Sequence, residues 1–186
     1  MRDKFIPPNN DHSYYPLLFK ALEETKGDVL ELGTGWGSTP LLNEYCKVNK
    51  RNLTSYDEKP EWLNKFLHYE DVIKHKLEDV YHHLRLTTNW REVYPLHKDN
   101  DVIFIDHAPG EDRKQMILDF KDSKGILVCH DTEPAADHGY QMRQHWGLFK
   151  YVVEVKTSGA WATALSNEID ITKWVGEEFG EYKISL

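Results

Sequence analysis

The chain alternates short apolar runs with longer segments in which apolar residues recur at helical spacing. The first helical segment is predicted to begin at Ser13 and to end at Gly27, with Leu17, Leu18 and Leu22 on one face. The apolar runs end in polar residues and are predicted to be strands; they lie at residues 29–32, 52–57, 84–88, 101–107 and 125–132. Strands that alternate with helices predict a parallel sheet.

The last part of the chain follows a different pattern. Residues 149–156 and 161–166 alternate apolar and polar positions and are joined through Ser158 and Gly159, which predicts an antiparallel hairpin. We therefore expect a doubly wound α/β fold with a seven-stranded, mostly parallel sheet, helices on both faces and a C-terminal antiparallel hairpin. Residues 1–186 are expected to form a single domain with a polar N-terminal arm (1–12). A C-terminal tail (167–186) is expected to form a short capping helix or a subunit contact.

The first predicted strand leads directly into a turn with three alternating glycines, in the stretch Glu31-Leu32-Gly33-Thr34-Gly35-Trp36-Gly37-Ser38-Thr39-Pro40. Thr39 is suited to cap the next helix and Pro40 to occupy its first position. Glycine lets a ligand approach the bare backbone, and a helix N-terminus presents free N–H groups. A dinucleotide-binding turn would read G-x-G-x-x-G, and Ser38 in place of the third glycine disfavours NAD. The alternative is a turn that binds nothing.

The spacing Glu31-x-Gly33-x-Gly35-x-Gly37 resembles motif I of the class I S-adenosylmethionine (SAM)-dependent methyltransferases. The resemblance covers residues 13–166. It implies that Glu31 receives the cationic end of SAM, directly or through water. The cofactor-binding residues that we expect on this basis are Glu31, Gly33, Thr34, Gly35, Gly37, Ser38, Asp57, Asn89, Trp90 and Asp106.

Two later positions are expected to contact the nucleoside part of the cofactor. Asp57 ends the second strand roughly 20 residues after the glycine turn, where an acid accepts hydrogen bonds from both ribose hydroxyls. It can also cap the helix that begins at Pro60. In the family, residues at the end of the third strand border the adenine, so Asn89 could pair with the base and Trp90 could stack on it. The equal alternative is a turn with a core tryptophan.

Two further strands end in the polar pairs Asp106-His107 and His130-Asp131. Ligands gather at the carboxyl ends of parallel strands, so we expect these four residues to form the catalytic site. A histidine, either His107, His130 or His138, is expected to act as general base, oriented by Asp106 or Asp131. The alternative is that Asp131 only caps the following turn.

Asp106, His130 and Asp131 also resemble the metal-binding pattern of catechol-type O-methyltransferases. The resemblance implies a divalent ion, such as Mg²⁺, that lowers the pKa of a substrate hydroxyl. This chain departs from the pattern twice: His130 stands where an oxygen ligand is expected, and no lysine follows the Asp-His pair. A mechanism without metal is therefore the favoured alternative.

Composition excludes several other classes of protein. The net charge of −8 disfavours general binding to nucleic acid, because no excess of Lys and Arg is available. Cys46 and Cys129 lack a metal-binding spacing and predict buried thiols in a reducing compartment, so we expect a cytoplasmic protein. No apolar run approaches the roughly 18 residues of a membrane span.

Taken together, these features predict an enzyme, a SAM-dependent methyltransferase that acts on an oxygen or nitrogen of a small molecule. An O-methyltransferase is expected first. Two alternatives remain: a SAM-binding regulator or partner subunit without catalysis, and, less favoured, an NAD-binding oxidoreductase-like domain. A homo-oligomer is compatible with the predicted tail.

Overall fold

The computed structural model describes residues 12–67 and 82–186. The strands within these ranges are β1 (Val29–Leu32), β2 (Leu53–Asp57), β3 (His82–Leu86), β4 (Val102–Ile105), β5 (Ile126–His130), β6 (Tyr151–Val155), β7 (Ala162–Ser166), β8 (Glu178–Phe179) and β9 (Tyr182–Ser185). The α-helices are α1 (Tyr15–Glu24), α2 (Ser38–Asn49), α3 (Pro60–Leu63), α4 (Tyr94–His97), α5 (Arg113–Asp119) and α6 (Pro134–Tyr140). Short 3-10 helices lie at Trp90–Glu92, Gly110–Asp112, Phe120–Asp122, Arg143–Leu148 and Thr172–Trp174.

One sheet holds all the described strands, in the order β3-β2-β1-β4-β5-β7-β6-β9-β8. The strands from β3 to β5 in this order pair in parallel, and those from β5 to β8 pair antiparallel. The doubly wound fold and the C-terminal hairpin are therefore confirmed. The expected count of seven strands is too low, because β8 and β9 extend the sheet beyond the hairpin.

The tail forms these extra strands after the short 3-10 helix Thr172–Trp174. Residue Ile184 of β9 pairs with Val155 of β6, so the tail continues the sheet at the free edge of the hairpin. Trp174 and Tyr182 are fully buried and join the same core as α1. The tail could not remain at the surface because its aromatic side chains are large enough to need burial.

Successive side chains of a strand lie on opposite faces of the sheet, and the register decides which of them meet. Glu31 pairs with Ser55 and Phe104, and Phe104 pairs with Val128, so these side chains share one face. Helices α1 and α2 cover this face, which we call the α1–α2 face. His130 lies two residues after Val128 and belongs to it as well.

The opposite face of the sheet, which we call the α5 face, packs Leu30, Leu32 and Ile103 against Met116 and Ile117 of α5. Each side chain of this size stabilises the fold by roughly 1.5–3 kcal/mol when buried. Both faces are therefore covered by helices. The strand ends form the edge at which polar side chains can meet.

Helix α1 forms because Leu17, Leu18, Ala21 and Leu22 recur at helical spacing and are all buried. A proline occupies its first turn, where the missing N–H costs nothing, and the backbone turns extended at Thr25. The predicted helix from Ser13 to Gly27 is confirmed in position and is shorter at both ends. Its start places two tyrosines at the carboxyl edge of the sheet.

Cys46 and Cys129 are buried free thiols, as the sequence predicts. Burial raises the pKa of each to about 12, so both remain protonated and unreactive. In the two described ranges, no helix combines the length and the apolar character that a transmembrane span requires.

Candidate active site

The three glycines of the turn have different surroundings. Gly33 has φ +94°, and a Cβ there would lie 2.6 Å from the Asp106 carbonyl oxygen, so two backbones cross at this point. A Cβ on Gly37 would lie 2.4 Å from the Tyr14 hydroxyl. At Gly35 the nearest atom is Ser38 Oγ, at 3.3 Å. Of the three glycines, Gly35 is therefore the least crowded on the side where a Cβ would stand.

Helix α2 begins at Ser38, with Gly37 rather than Thr39 as its capping residue. The predicted cap is wrong because the Thr39 hydroxyl is engaged elsewhere. It accepts a hydrogen bond from the Gly35 N–H at 2.9 Å and lies 3.0 and 3.1 Å from the two carboxylate oxygens of Glu31. Thr39 therefore fixes the glycine turn to β1 from inside the helix.

Glu31 is fully buried on the α1–α2 face. Besides Thr39, its carboxylate contacts the Ser55 hydroxyl at 2.5 Å. Burial raises the pKa of Glu31 to about 7, although hydrogen bonds from Ser38, Ser55 and Thr39 counteract part of the effect. At neutral pH the carboxyl group is therefore divided between its neutral and its charged form.

A chain of buried polar groups continues behind Glu31. Ser55 Oγ lies 2.9 Å from His82 Nε2, and His82 Nδ1 lies 3.1 Å from Asn43 Oδ1. Burial lowers the pKa of His82 to about 4, so the ring is neutral at pH 7. The chain connects β1, β2, β3 and α2 at the base of the glycine turn.

Asp57 ends β2 and holds the glycine turn from the other side. Its carboxylate accepts hydrogen bonds from the Thr34 N–H at 3.0 Å, the Thr34 hydroxyl at 2.7 Å and the Lys59 N–H at 3.0 Å. The bond from Lys59 is the capping role that the sequence left open. A carboxylate has about four acceptor sites, so one remains for a ligand hydroxyl.

The turn is bordered by aromatic side chains. Trp36 is 63% exposed, and its ring lies 5.0 Å from Phe66 and 6.5 Å from Trp62. The Trp62 indole N–H donates to the Thr34 carbonyl. These aromatic side chains therefore form an apolar surface beside Gly35.

Asn89 and Trp90 form a turn with a core tryptophan. Asn89 Oδ1 accepts from the Arg91 N–H at 3.2 Å, and its Nδ2 donates to Glu92 at 3.0 Å. The side chain thereby begins the 3-10 helix Trp90–Glu92. Trp90 is only 6% exposed and lies 4.1 Å from the ring of His107. In this arrangement Asn89 and Trp90 fit the alternative to base recognition.

Asp106 and His130 meet on the α1–α2 face. His130 Nδ1 lies 3.3 Å from Asp106 Oδ1 and 3.5 Å from Asp131 Oδ1. Burial alone would lower the pKa of His130, but the Asp106 and Asp131 carboxylates more than offset it, so the pKa is raised. His130 Nε2 is buried and has no hydrogen-bond partner among the residues that the structure describes. The imidazole is therefore held at one nitrogen and free at the other.

Arg113 lies between the carboxylates of Asp106 and Asp131. It belongs to no sequence motif that would have identified it as a site residue. Its Nη2 lies 3.0 Å from Asp106 Oδ1, and its Nη1 lies 3.1 Å from Asp131 Oδ2. Burial would raise the pKa of Asp106, but His130 and Arg113 hold it below its ordinary value. The only sequence signal is a cation at the start of the helix after β4.

His107 is separated from this cluster although it follows Asp106 directly. Its side chain points to the α5 face, where it is fully buried beneath Trp90. Neither ring nitrogen has a partner within the described ranges, and burial lowers the pKa of His107 to about 3. His138 is exposed on α6. Of the three candidate histidines, only His130 joins the acids.

Tyr14 connects the glycine turn to this cluster. It is 3% exposed, its hydroxyl is hydrogen-bonded to Ser38, and its ring lies 4.8 Å from His130 and 4.7 Å from Phe104. Burial raises the pKa of the phenol, so it stays protonated. The turn, Tyr14 and the His130 cluster therefore form one continuous site along the carboxyl ends of β1, β4 and β5.

No protein-family model matches the chain, and neither does any curated protein. Solved structures do share its fold. The O-methyltransferase TomG from Streptomyces achromogenes, crystallised with SAM, is 14% identical with a TM-score of 0.61, over 86% of this chain and 81% of that one. A putative O-methyltransferase from Klebsiella pneumoniae is 14% identical with a TM-score of 0.61, over 87% of this chain and 82% of that one. Spermidine synthase from Thermotoga maritima is 21% identical with a TM-score of 0.59, over 92% of this chain and 67% of that one.

These likenesses are structural, since the sequence identities are low. The sheet, which is parallel at its start and antiparallel toward the C-terminus, with helices on both faces, matches the fold of these structures. The chain has the fold of the class I SAM-dependent methyltransferases.

Proposed function

We propose that this protein is a SAM-dependent methyltransferase that acts on an oxygen or nitrogen of a small molecule. The observation that carries the proposal is the Asp106–His130 pair beside the glycine turn, in which Nε2 of His130 has no partner among residues 12–67 and 82–186. A methyl acceptor of either kind has a proton to lose, and an oriented imidazole is suited to remove it. An O-methyltransferase is the more specific form of the proposal, because neighbours of the same fold are named as such.

The residues of the turn fit such a cofactor. The backbone of Gly35 and the remaining acceptor site of Asp57 would hold the nucleoside part. Glu31 is fully buried and would meet the cationic end only if its present contacts with Thr39 and Ser55 changed. When bound, SAM supplies an electrophilic methyl group on a sulfonium. Asn89 and Trp90 would contribute as the surface next to the base only if their present contacts changed.

The chain's own part in the reaction is to align the acceptor and take its proton. His130 Nε2 would accept the proton, while Asp106 at Nδ1 stabilises the imidazolium that forms. Asp131 and Arg113 hold this pair in place. General base catalysis of this kind contributes roughly 10²–10⁴-fold to the rate, and alignment of the two reactants contributes further.

The test is transfer of tritiated methyl from SAM to a panel of phenols, alcohols and amines. His130→Asn should lower kcat by roughly 10²–10⁴-fold and leave SAM affinity unchanged, because the ring contacts the acceptor's proton rather than the cofactor. His138→Asn, at an exposed position, is the matched control and should retain the wild-type rate. A wild-type rate in His130→Asn would contradict the mechanism. SAM binding without transfer to any acceptor would favour the regulatory alternative.

We also propose a reducing compartment, such as the cytoplasm. Cys46 and Cys129 are both buried and unpaired, which suits a protein whose thiols stay reduced. Maleimide labelling after unfolding in cell extract without reductant should find both thiols free.

A further inference from the structure

Three side chains at the ends of β4 and β5 resemble a metal site when their donor atoms alone are considered. Asp106, His130 and Asp131 each offer one ligand atom, and these atoms lie within 4.8 Å of one another. Two carboxylates and an imidazole are a donor set that several divalent transition metals accept. The same residues stand where the resemblance to catechol-type enzymes implies Mg²⁺.

The surroundings of these ligands do not fit an added ion. Arg113 already contacts both carboxylates, at 3.0 Å from Asp106 and 3.1 Å from Asp131. Its Nε donates to the His107 carbonyl at 2.8 Å, and its Nη1 donates to the His130 carbonyl at 3.1 Å. A divalent ion would have to bind beside this guanidinium cation, which four contacts hold in place and which already occupies one oxygen of each carboxylate.

The position of Arg113 is fixed and its charge is permanent. The side chain is 7% exposed, and the ring of Tyr140 lies 4.9 Å from the guanidinium. Tyr140 in turn packs on Gly110, where a Cβ would meet its ring at 2.1 Å. A guanidinium does not lose its proton in proteins, so the two acids face a cation at every working pH.

We propose that Arg113 is the built-in cation of this site and takes the place of a divalent metal ion. It joins Asp106 to Asp131 and holds Asp106 against Nδ1 of His130, which makes it a positioning residue. The consequence for catalysis, that methyl transfer proceeds without metal, rests on the proposed function. The consequence for metal binding does not.

Mn²⁺ titration, followed by the electron paramagnetic resonance signal of the free ion, tests the proposal without cofactor or substrate. The wild-type protein should bind no Mn²⁺ at this cluster. Arg113→Ala leaves two partly exposed carboxylates beside a buried imidazole, so the cluster should then bind Mn²⁺ at least about tenfold more tightly than the wild-type protein does. The added change Asp131→Asn should remove that gain. Arg143→Ala, which removes another arginine paired with a buried acid, Glu154, is the matched control and should gain no site.

Two results would overturn the proposal. One is binding of Mn²⁺ by the wild-type protein that Asp106→Asn abolishes. The other is a folded Arg113→Ala variant that binds no Mn²⁺, because the guanidinium would then not be what keeps the ion out. If the alanine variant does not fold, Arg113→Gln replaces it, and the wild-type titration remains decisive by itself.

Activity provides a separate readout. Wild-type methyl transfer should change less than about twofold on addition of EDTA, followed by Mg²⁺. Loss of transfer in EDTA that Mg²⁺ restores would contradict the catalytic part of the proposal. Absence of transfer under every condition would bear on the proposed function, while the Mn²⁺ result would still stand.

Discussion

Glu31 ends a chain of buried hydrogen bonds whose hydrogens can be assigned one by one. Asn43 Oδ1 can only accept, so His82 Nδ1 must carry the hydrogen between them. Neutral His82 can accept at Nε2 the single hydroxyl hydrogen of Ser55, for which Glu31 is the other acceptor. If Ser55 instead donates its hydrogen to Glu31, no hydrogen remains between Ser55 and Nε2 of His82. Every contact has one hydrogen when Glu31 itself is protonated, in agreement with its raised pKa of about 7.

Glu31→Gln should change how stability depends on pH. A carboxyl whose pKa is about 7 in the fold and near 4.5 when unfolded stabilises the protein fully below pH 4.5. That contribution is lost as the pH rises to 7, and amounts to about 3 kcal/mol. The free energy of unfolding of the variant should therefore gain about 3 kcal/mol relative to wild type between pH 4.5 and 7.5. Urea unfolding at several pH values measures this difference.

The exposed residue Glu168 offers a control, since Glu168→Gln should follow the wild-type curve. A variant of Glu31 whose curve also runs parallel to wild type would show that the group is charged throughout this range. His82 acts in the opposite direction, because its lowered pKa stabilises the fold above pH 6.5 and is lost towards pH 4. In the wild-type protein, His82 therefore offsets part of the change that Glu31 causes in the free energy of unfolding as the pH rises.

At the scale of elements, the junction of β1, the glycine turn and α2 combines structural and binding roles. Gly33 serves packing, because its backbone crosses that of Asp106. Gly37 makes room for Tyr14, which leads to His130. Gly35 is the least crowded of the three. A motif of three glycines thus does not imply three glycines that touch the ligand.

Alanine at two of these glycines should separate the roles. Gly33→Ala combines a positive φ with a Cβ 2.6 Å from a backbone oxygen, so it should lower the free energy of unfolding by about 3 kcal/mol or more. Gly35→Ala is the matched control and should stay within about 1 kcal/mol of wild type. Urea unfolding of both variants provides the measurement. Equal losses would show that Gly33 has no special role in packing.

The sequence could predict most helices and strands of the fold, but it could not predict every residue of the candidate site. Continuous apolar runs predicted the parallel strands, because these strands are buried on both faces of the sheet. Apolar periodicity predicted the helices between them, because each helix buries one face. Strand alternation also separates Asp106 from His107, and this could have been predicted from their adjacency alone. Arg113 could not, because its role depends on the distance from α5 to two strand ends, which no local pattern records.

At the scale of the whole molecule, the sheet continues past the hairpin into the tail. Trp174, Tyr182 and Ile184 join the core that α1 and α2 form. The sequence pattern of the tail is ambiguous since aromatic residues stand among acids, and only the free edge of β6 shows where they pack. The last residues are therefore part of the fold rather than an appendage.

Trp174→Ala should accordingly lower the free energy of unfolding by about 3–5 kcal/mol, as expected for a fully buried tryptophan. Val175→Ala is the neighbouring control, at a residue that is 40% exposed, and should change the value by less than about 0.5 kcal/mol. Chemical unfolding at pH 7 measures both. A small effect of Trp174→Ala would mean that the tail detaches without loss of the core.

The proposed methyl transfer requires that the turn around Gly35 bind SAM. Isothermal titration calorimetry of the wild-type protein with SAM, and separately with NAD, tests it most directly. We expect SAM to bind at a single site and NAD to produce no binding heat, because Ser38 stands where a dinucleotide turn needs glycine. Binding of NAD but not SAM, or of neither, would contradict it.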